Sequence, residues 1–256
     1  MNRRHALQAL AGLALCPLCA SAGFAAEGAH WSYEGATGPD HWGDIDAASK
    51  VCSAGSQQSP IDIARTIKAR LAPLKIARRR RAETIVNNGH TIQLNTARGS
   101  ALHVGKDSYA LLQFHFHHPS EQTIAGKHYP MEAHFVHRNA AGGLAVIGVP
   151  MTAGKRNAAF SKVVASMPAH EGKPAKADAA IDPNGLLPAR RGYDCYVGSL
   201  TTPPCSEVVN WLLLREPLFV AQKDIDAFAK LYPMNARPAQ KMDRRFVLSS
   251  RRALAT

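Results

Sequence analysis

The run Gln113-Phe114-His115-Phe116-His117 constrains this chain more than any other stretch, and Met131-Glu132-Ala133-His134-Phe135-Val136-His137 completes its meaning. Successive residues of a strand point to opposite faces, so positions i and i+2 send both imidazoles the same way. A neighbouring strand carrying His134 then closes a corner of three nitrogens. Three histidines with a fourth position open are the ligand set of a catalytic zinc, whereas a structural zinc is closed by four protein ligands, usually with cysteines among them. Gln113 lies on the face of His115 and His117, and Glu132 on the face of His134. Each can accept a hydrogen bond from the ring nitrogen that turns away from the metal, which fixes the tautomer and orients the ring. A lone histidine is ordinarily a satisfied core or surface residue. Three that alternate correctly, on strands that each bring an acceptor, reverse that reading, which is kept for His30, His41, His103, His118, His128, His137 and His170.

The rest of the chain supplies a frame for such a corner. At 256 residues and 46% hydrophobic content it can bury a sizeable core. Residues 1–25 read as a removable export signal: a basic head, Met1-Asn2-Arg3-Arg4-His5, a short apolar stretch from Ala6 to Leu15, and small residues at Ala20-Ser21-Ala22 or Gly23-Phe24-Ala25. The Arg3-Arg4 pair permits the twin-arginine route as well as the Sec route. Residues 26–256 then form one domain, periplasmic or secreted. No later stretch approaches the roughly 18 to 20 continuous apolar residues that a membrane-spanning helix needs. The formal charge of +12 becomes +10 once Arg3 and Arg4 are removed. Its densest runs are Arg78-Arg79-Arg80-Arg81, Arg244-Arg245 and Arg251-Arg252, which read as solvated edges rather than a nucleic-acid site, because no aromatic interleaving or known module accompanies them. Export leaves Cys52, Cys195 and Cys205 in an oxidising compartment, which implies one disulfide and one spare thiol. Cys195 and Cys205 compete for Cys52.

Short β-type runs recur at Thr84 to Asn87, Thr91 to Asn95, Ala101 to Val104, Leu111 to His117, Glu132 to His137, Leu144 to Met151 and Val208 to Leu214. Helical spacing is confined to Ala158 to Met167 and Asp224 to Leu231. Pro168 to Pro188, rich in Ala, Lys and Pro, reads as a surface excursion. The fold class is therefore α+β and β-rich, a single domain with peripheral short helices. The two histidine strands pair antiparallel, because Pro119 to Pro130 holds no crossover helix.

The chain closely resembles the α-class carbonic anhydrases of the exported bacterial type. The resemblance runs from about His30 to Arg245. It is carried by Gly38-Pro39-Asp40-His41-Trp42-Gly43, Gln58-Ser59-Pro60-Ile61-Asp62-Ile63, Asn87-Asn88-Gly89-His90, the two histidine strands, and Gly198-Ser199-Leu200-Thr201-Thr202-Pro203-Pro204-Cys205. It implies a large twisted, mostly antiparallel central sheet and a zinc enzyme that interconverts carbon dioxide and bicarbonate through zinc-bound hydroxide. His115, His117 and His134 match the ligands; Gln113, Glu132 and Asn235 match the groups that support them, Asn235 through its backbone carbonyl. Thr201 matches a gatekeeper that donates its proton to a buried carboxylate, here Glu121, and keeps a lone pair for the hydroxide. Thr202 matches a neighbour that contacts substrate or product. Carbon dioxide has no charge to grip, and Val136, Val146, Leu200, Val209 and Trp211 match its apolar wall. His90 matches the proton shuttle, with Tyr33, Asn88 and Gln93 at the positions that hold bridging waters. Cys52 and Cys205 match the disulfide of secreted members, which leaves Cys195 spare. A homodimer suits this branch of the family.

Three other readings compete. A non-catalytic relative acting as a binding module is expected to have lost a ligand, and here all three stand with Glu121 and Thr201. A polyanion-binding protein is expected to lose affinity steeply with salt and to ignore zinc removal. An ester hydrolase is the nearest rival, since the same hydroxide attacks an activated carbonyl.

Overall fold

The structure is a computed structural model that describes residues 30–77 and 81–251. The expected export signal at 1–25, Arg78 to Arg80 and Arg252 lie outside the described residues. The chain divides into two units, Met1–His30 and Trp31–Thr256, and the sheet and its helices belong to the second.

Strand Asp107–His117 is the spine of a 13-stranded sheet. On one side it pairs antiparallel with Ile92–Thr96, followed by Ala82–Asn87 and Ala175–Lys176. On the other side it pairs antiparallel with Met131–Arg138, which pairs in turn with Leu144–Ala153. Beyond these come Val209–Leu214, parallel to its neighbour, then Tyr193–Gly198 and Leu248–Ser250, and finally Ile67–Ala69 at the edge. The architecture is thus the β-rich, mostly antiparallel one expected, with two short helices, Ala158–Ala165 and Gln222–Leu231, set against one face.

Period-two alternation assigns the faces. Phe114, Phe116 and Phe135 are fully buried, and Phe116 packs its ring 5.2 Å from Phe160 and 6.1 Å from Phe228, residues of the two helices. Burying each such side chain contributes roughly 1.5–3 kcal/mol. Slipping either histidine strand by one residue exchanges its phenylalanines with its histidines, placing imidazoles in the larger core. The aromatic face therefore fixes the direction in which the histidines point. Asn157 caps the first helix by accepting the amide of Phe160, which locks that packing residue at the helix start. A second, smaller apolar cluster forms on the histidine side around Val146, Val209 and Trp211.

The seven strand runs read from the sequence are all present; Ala101–Val104 coincides at both ends, His117 is the shared terminus of the spine, and no end is shifted by more than four residues. Tyr193–Gly198 is not among them. Its run, Tyr-Asp-Cys-Tyr-Val-Gly, sets Tyr, Cys and Val on one face but mixes Asp with Tyr and Gly on the other, which gives no clean apolar-polar alternation. The excursion from Pro168 to Pro188 is more firmly attached than its composition suggests, since Ile181 and Leu186 are fully buried in the larger core.

Candidate active site

His134 stands directly across the strand pair from His115, and Glu132 across from His117. This register brings one ligand atom from each of His115, His117 and His134 to within 4.8 Å of the others, the only such group of histidine, cysteine or acidic residues among the described residues. Ring contacts agree, with centroids 5.0 Å apart for His115 and His117 and 4.4 Å for His117 and His134.

The outward-facing nitrogens decide what the inward ones can do. His117 Nδ1 lies 2.7 Å from the backbone carbonyl of Asn235, which can only accept, so Nδ1 carries the proton and Nε2 keeps its lone pair. His115 Nδ1 donates to Gln113 Oε1 at 2.8 Å. His134 is turned the other way: Nε2 faces Glu132 Oε1 at 3.2 Å, an electrostatic contact without hydrogen-bond alignment, and Nδ1 looks inward. His117 Nε2 is buried with no hydrogen-bond partner. A buried lone pair left this way is costly unless something electrophilic meets it, and a divalent cation fits. Burial holds all three imidazoles below their ordinary pKa, in the neutral form a metal requires.

Gly148 makes room for this arrangement. It sits opposite His134 on the adjoining strand, and a Cβ there would lie 2.7 Å from Glu132 Oε1 and 2.5 Å from a Leu213 methyl. The sequence reading missed it, because a glycine inside a strand signals close approach but not what approaches.

Two carboxylates lie fully buried behind the corner. Glu121 Oε1 accepts the backbone amide of Arg237 at 3.0 Å, and its Oε2 is 3.8 Å from His134 Nδ1. Burial pushes Glu121 up to about 8 and Glu132 up to about 7. The Thr201 hydroxyl acts on Glu121 in the direction that favours its charge, although Oε2 lacks a hydrogen bond of full geometry. A cation among the histidines favours the charged form of both carboxylates further.

Arg237 is a second residue that sequence reasoning passed over. It is buried, and it donates to Gln58 Oε1 at 2.9 Å, to Ser59 O at 2.8 Å and to Cys52 O at 2.8 Å. Its guanidinium also lies 5.4 Å over the Trp42 ring. Burial lowers its pKa to about 10, with Glu121 pulling the other way. One residue thus joins the carboxylate to chain segments that are remote from it in sequence.

Thr201 lies in a loop tied from outside. Ser59 and Ser199 exchange hydrogen bonds at 2.9 and 3.0 Å, Trp211 Nε1 donates to Ser199 O at 3.0 Å, and Glu207 accepts from Gln57 N and Gln58 Nε2. Cys52 and Cys205 form a disulfide, and Cys195 is the free, half-buried thiol whose pKa burial raises. Val136, Val146, Leu200, Val209 and Trp211 share one apolar cluster, and the Trp211 ring stands edge-on to His134 at 4.9 Å. The five residues that the resemblance assigns to a substrate wall therefore lie together beside the histidine corner.

His90 is placed apart from the corner. Its ring stacks on Trp31 at 3.6 Å, with Tyr33 6.4 Å away, and its backbone carbonyl accepts from the Asn235 side chain at 2.9 Å. Asn235 is fully buried and also bonds Phe116 O and His118 N, so one residue spaces His90 from His117. Asn88 spends its side-chain oxygen on the amides of His90 and Thr91, and Gln93 donates to Asn95 at 2.7 Å. Burial holds the Tyr33 hydroxyl well above its usual pKa, with the charge of Glu121 acting in the same direction. Thr202 is half-buried beside Thr201.

Comparison with known proteins adds independent weight. The model of the eukaryotic-type carbonic anhydrase family matches residues 37–251. A carbonic anhydrase of Klebsiella pneumoniae is 42% identical over 222 residues, covering 86% of this chain and 90% of that protein. One of Pectobacterium atrosepticum is 38% identical over 225 residues, covering 88% and 92%. The solved structure of an α-carbonic anhydrase from Thermovibrio ammonificans, in complex with the inhibitor sulfanilamide, matches with a TM-score of 0.84 at 44% identity, covering 86% of this chain and 99% of that one.

Proposed function

This chain belongs to the eukaryotic-type carbonic anhydrase family, whose members are lyases that hydrate carbon dioxide, and we propose that it performs that reaction with zinc held by His115, His117 and His134. The observation that carries this reading is the convergence of three neutral imidazoles, with Asn235 O and Gln113 Oε1 fixing the tautomers of two of them. When bound there, zinc lowers the pKa of its water from about 15.7 to about 7, carbonic anhydrases being the standard example from which that magnitude comes.

The protein's own groups supply orientation, exclusion and proton transfer. An ionised Glu121 can only accept, so the Thr201 hydroxyl gives its proton to Glu121 and turns a lone pair toward the nucleophile. Val136, Val146, Leu200, Val209 and Trp211 offer carbon dioxide an apolar wall with nothing that would hold bicarbonate, which favours entry of one and release of the other. Thr202 contacts substrate or product at the rim. His90, whose ring stacks on Trp31, is the imidazole that carries the released proton away, passing it through waters near Tyr33, Asn88 and Gln93 to buffer. Residues 1–25 act as the export signal of a catalytic domain spanning 26–256, and the Cys52–Cys205 disulfide is compatible with a periplasmic or secreted location. No described helix is long and apolar enough to cross a membrane. Assembly as a homodimer is checked by sedimentation of the purified chain.

The test pairs metal analysis with stopped-flow hydration. Purified wild type carries zinc and hydrates carbon dioxide, chelation removes both, and zinc restores both. Ester cleavage measured alongside identifies the rival: a main role as an esterase requires the ester reaction to exceed hydration.

A further inference from the structure

A cavity whose lining includes none of the three histidines opens at the sheet edge formed by Ile67–Ala69. Its volume is about 1450 Å³, and six cations line it: Lys68, Arg70, Arg190, Arg191, Arg215 and Arg251. The one acidic residue in its wall, Glu216, is already paired with Arg190 at 2.8 Å. Two of the cations are set toward the same point. Arg215 Nη1 and Lys68 Nζ both donate to the hydroxyl of Ser249, at 2.8 and 3.1 Å, and so lie within about 6 Å of each other. Among the described residues, no carboxylate comes within 4.0 Å of either. Their mutual repulsion is met only by neutral hydroxyls, Ser249 and Ser250. Gly192 keeps the space open, since a Cβ there would lie 2.5 Å from Arg215 Nη2. The floor between the charges is apolar, with Leu71, Pro73, Tyr193 and Pro217.

We propose that this groove binds an extended acidic peptide segment that carries apolar residues between its carboxylates. Guanidinium groups match carboxylates in a paired, planar geometry, so a rim rich in arginine selects such groups over simple counter-ions. The apolar floor excludes a purely ionic partner as the best fit, because it stays wet beneath one. Size points the same way: small-ligand pockets occupy about 300–1,000 Å³, and this groove is larger. The half-buried Arg215 and the exposed Lys68 hold the central carboxylate, while the exposed Arg70, Arg191 and Arg251 meet its neighbours.

Fluorescence anisotropy of a labelled peptide of alternating glutamate and leucine tests this on the full-length, zinc-loaded protein. Three proteins are compared: wild type, a groove variant with Lys68→Glu, Arg70→Glu and Arg191→Glu, and a control with Lys127→Glu, Lys223→Glu and Arg244→Glu. All six positions are exposed, so both variants fold, and both change the net charge equally. The expected result is binding by wild type that weakens with salt, weakened further by about tenfold or more in the groove variant and by less than about threefold in the control. Carbon dioxide hydration matches wild type in both. Equal weakening in the two variants overturns the proposal, because general surface charge then explains the binding. So does tighter binding of inorganic tripolyphosphate that the groove variant abolishes, which assigns the groove to a small polyanion. Absence of peptide binding to wild type at low salt overturns it as well.

Discussion

The histidine corner and the threonine loop meet at Glu121, yet they are built in different ways. His115, His117 and His134 are aligned by two strands that pair directly, with their supporting acceptors Gln113 and Glu132 each two residues from a ligand. The loop around Thr201 has no such neighbours. It is held by Ser59, 140 residues from Ser199, by a disulfide spanning 153 residues, and by Arg237, which reaches Cys52 across 185. Local alternation can set the direction of a ligand, because a strand's geometry does most of the work. Positioning a hydroxyl against a buried carboxylate needs ties from several segments at once, and each must be paid in chain entropy.

If the corner and the loop are separable in this way, damage to each should read out differently. The largest effect is expected for His134→Ala, which removes the inward nitrogen of one ligand: zinc content and hydration fall together to background in metal analysis and stopped flow. Activity that survives without stoichiometric zinc breaks the comparison at its root. Removing the loop's ties by Cys52→Ser with Cys205→Ser costs about 2–5 kcal/mol in urea unfolding, and turnover drops while zinc content stays near wild type. Loss of zinc in that variant means that the two regions are one unit. Gly148→Ala tests the corner alone. Its new methyl presses on Glu132 and Leu213, and zinc affinity falls by about 10–100-fold in competition with a chelator, with a stability loss of roughly 1–3 kcal/mol. The smallest change is expected from His90→Ala, which belongs to neither region. Zinc and the unfolding midpoint stay close to wild type, while turnover in weak buffer slows by about tenfold or more and recovers when imidazole is added. Wild-type turnover in weak buffer would remove His90 from the proton path.

Arg237 sharpens the same contrast from the other side. Arg237→Met keeps the backbone amide that serves Glu121 but leaves the oxygens of Gln58, Ser59 and Cys52 without their donor. A cost of about 3–5 kcal/mol is expected from breaking so buried a charged network, read as a lower melting temperature with zinc retained.

The amino-acid sequence by itself determined seven of the strands, their faces and the shared direction of His115, His117 and His134. In strand Asp107–His117 and strand Met131–Arg138 the hydrophobic pattern and the metal-binding pattern are the same period-two signal, so reading one reads the other. Tertiary structure alone decided how Gly148 and Arg237 hold the groups behind that triad. Nothing near Gly148 in the chain announces that Glu132 needs its space, and nothing near Arg237 announces Cys52 or Ser59. Nor does any run of the sequence foretell that Lys68 and Arg215 share one hydroxyl at a sheet edge. Periodicity is a property of consecutive residues, whereas these contacts arise only when strands far apart in the chain are laid side by side. Their energies depend on burial and geometry that no single segment contains.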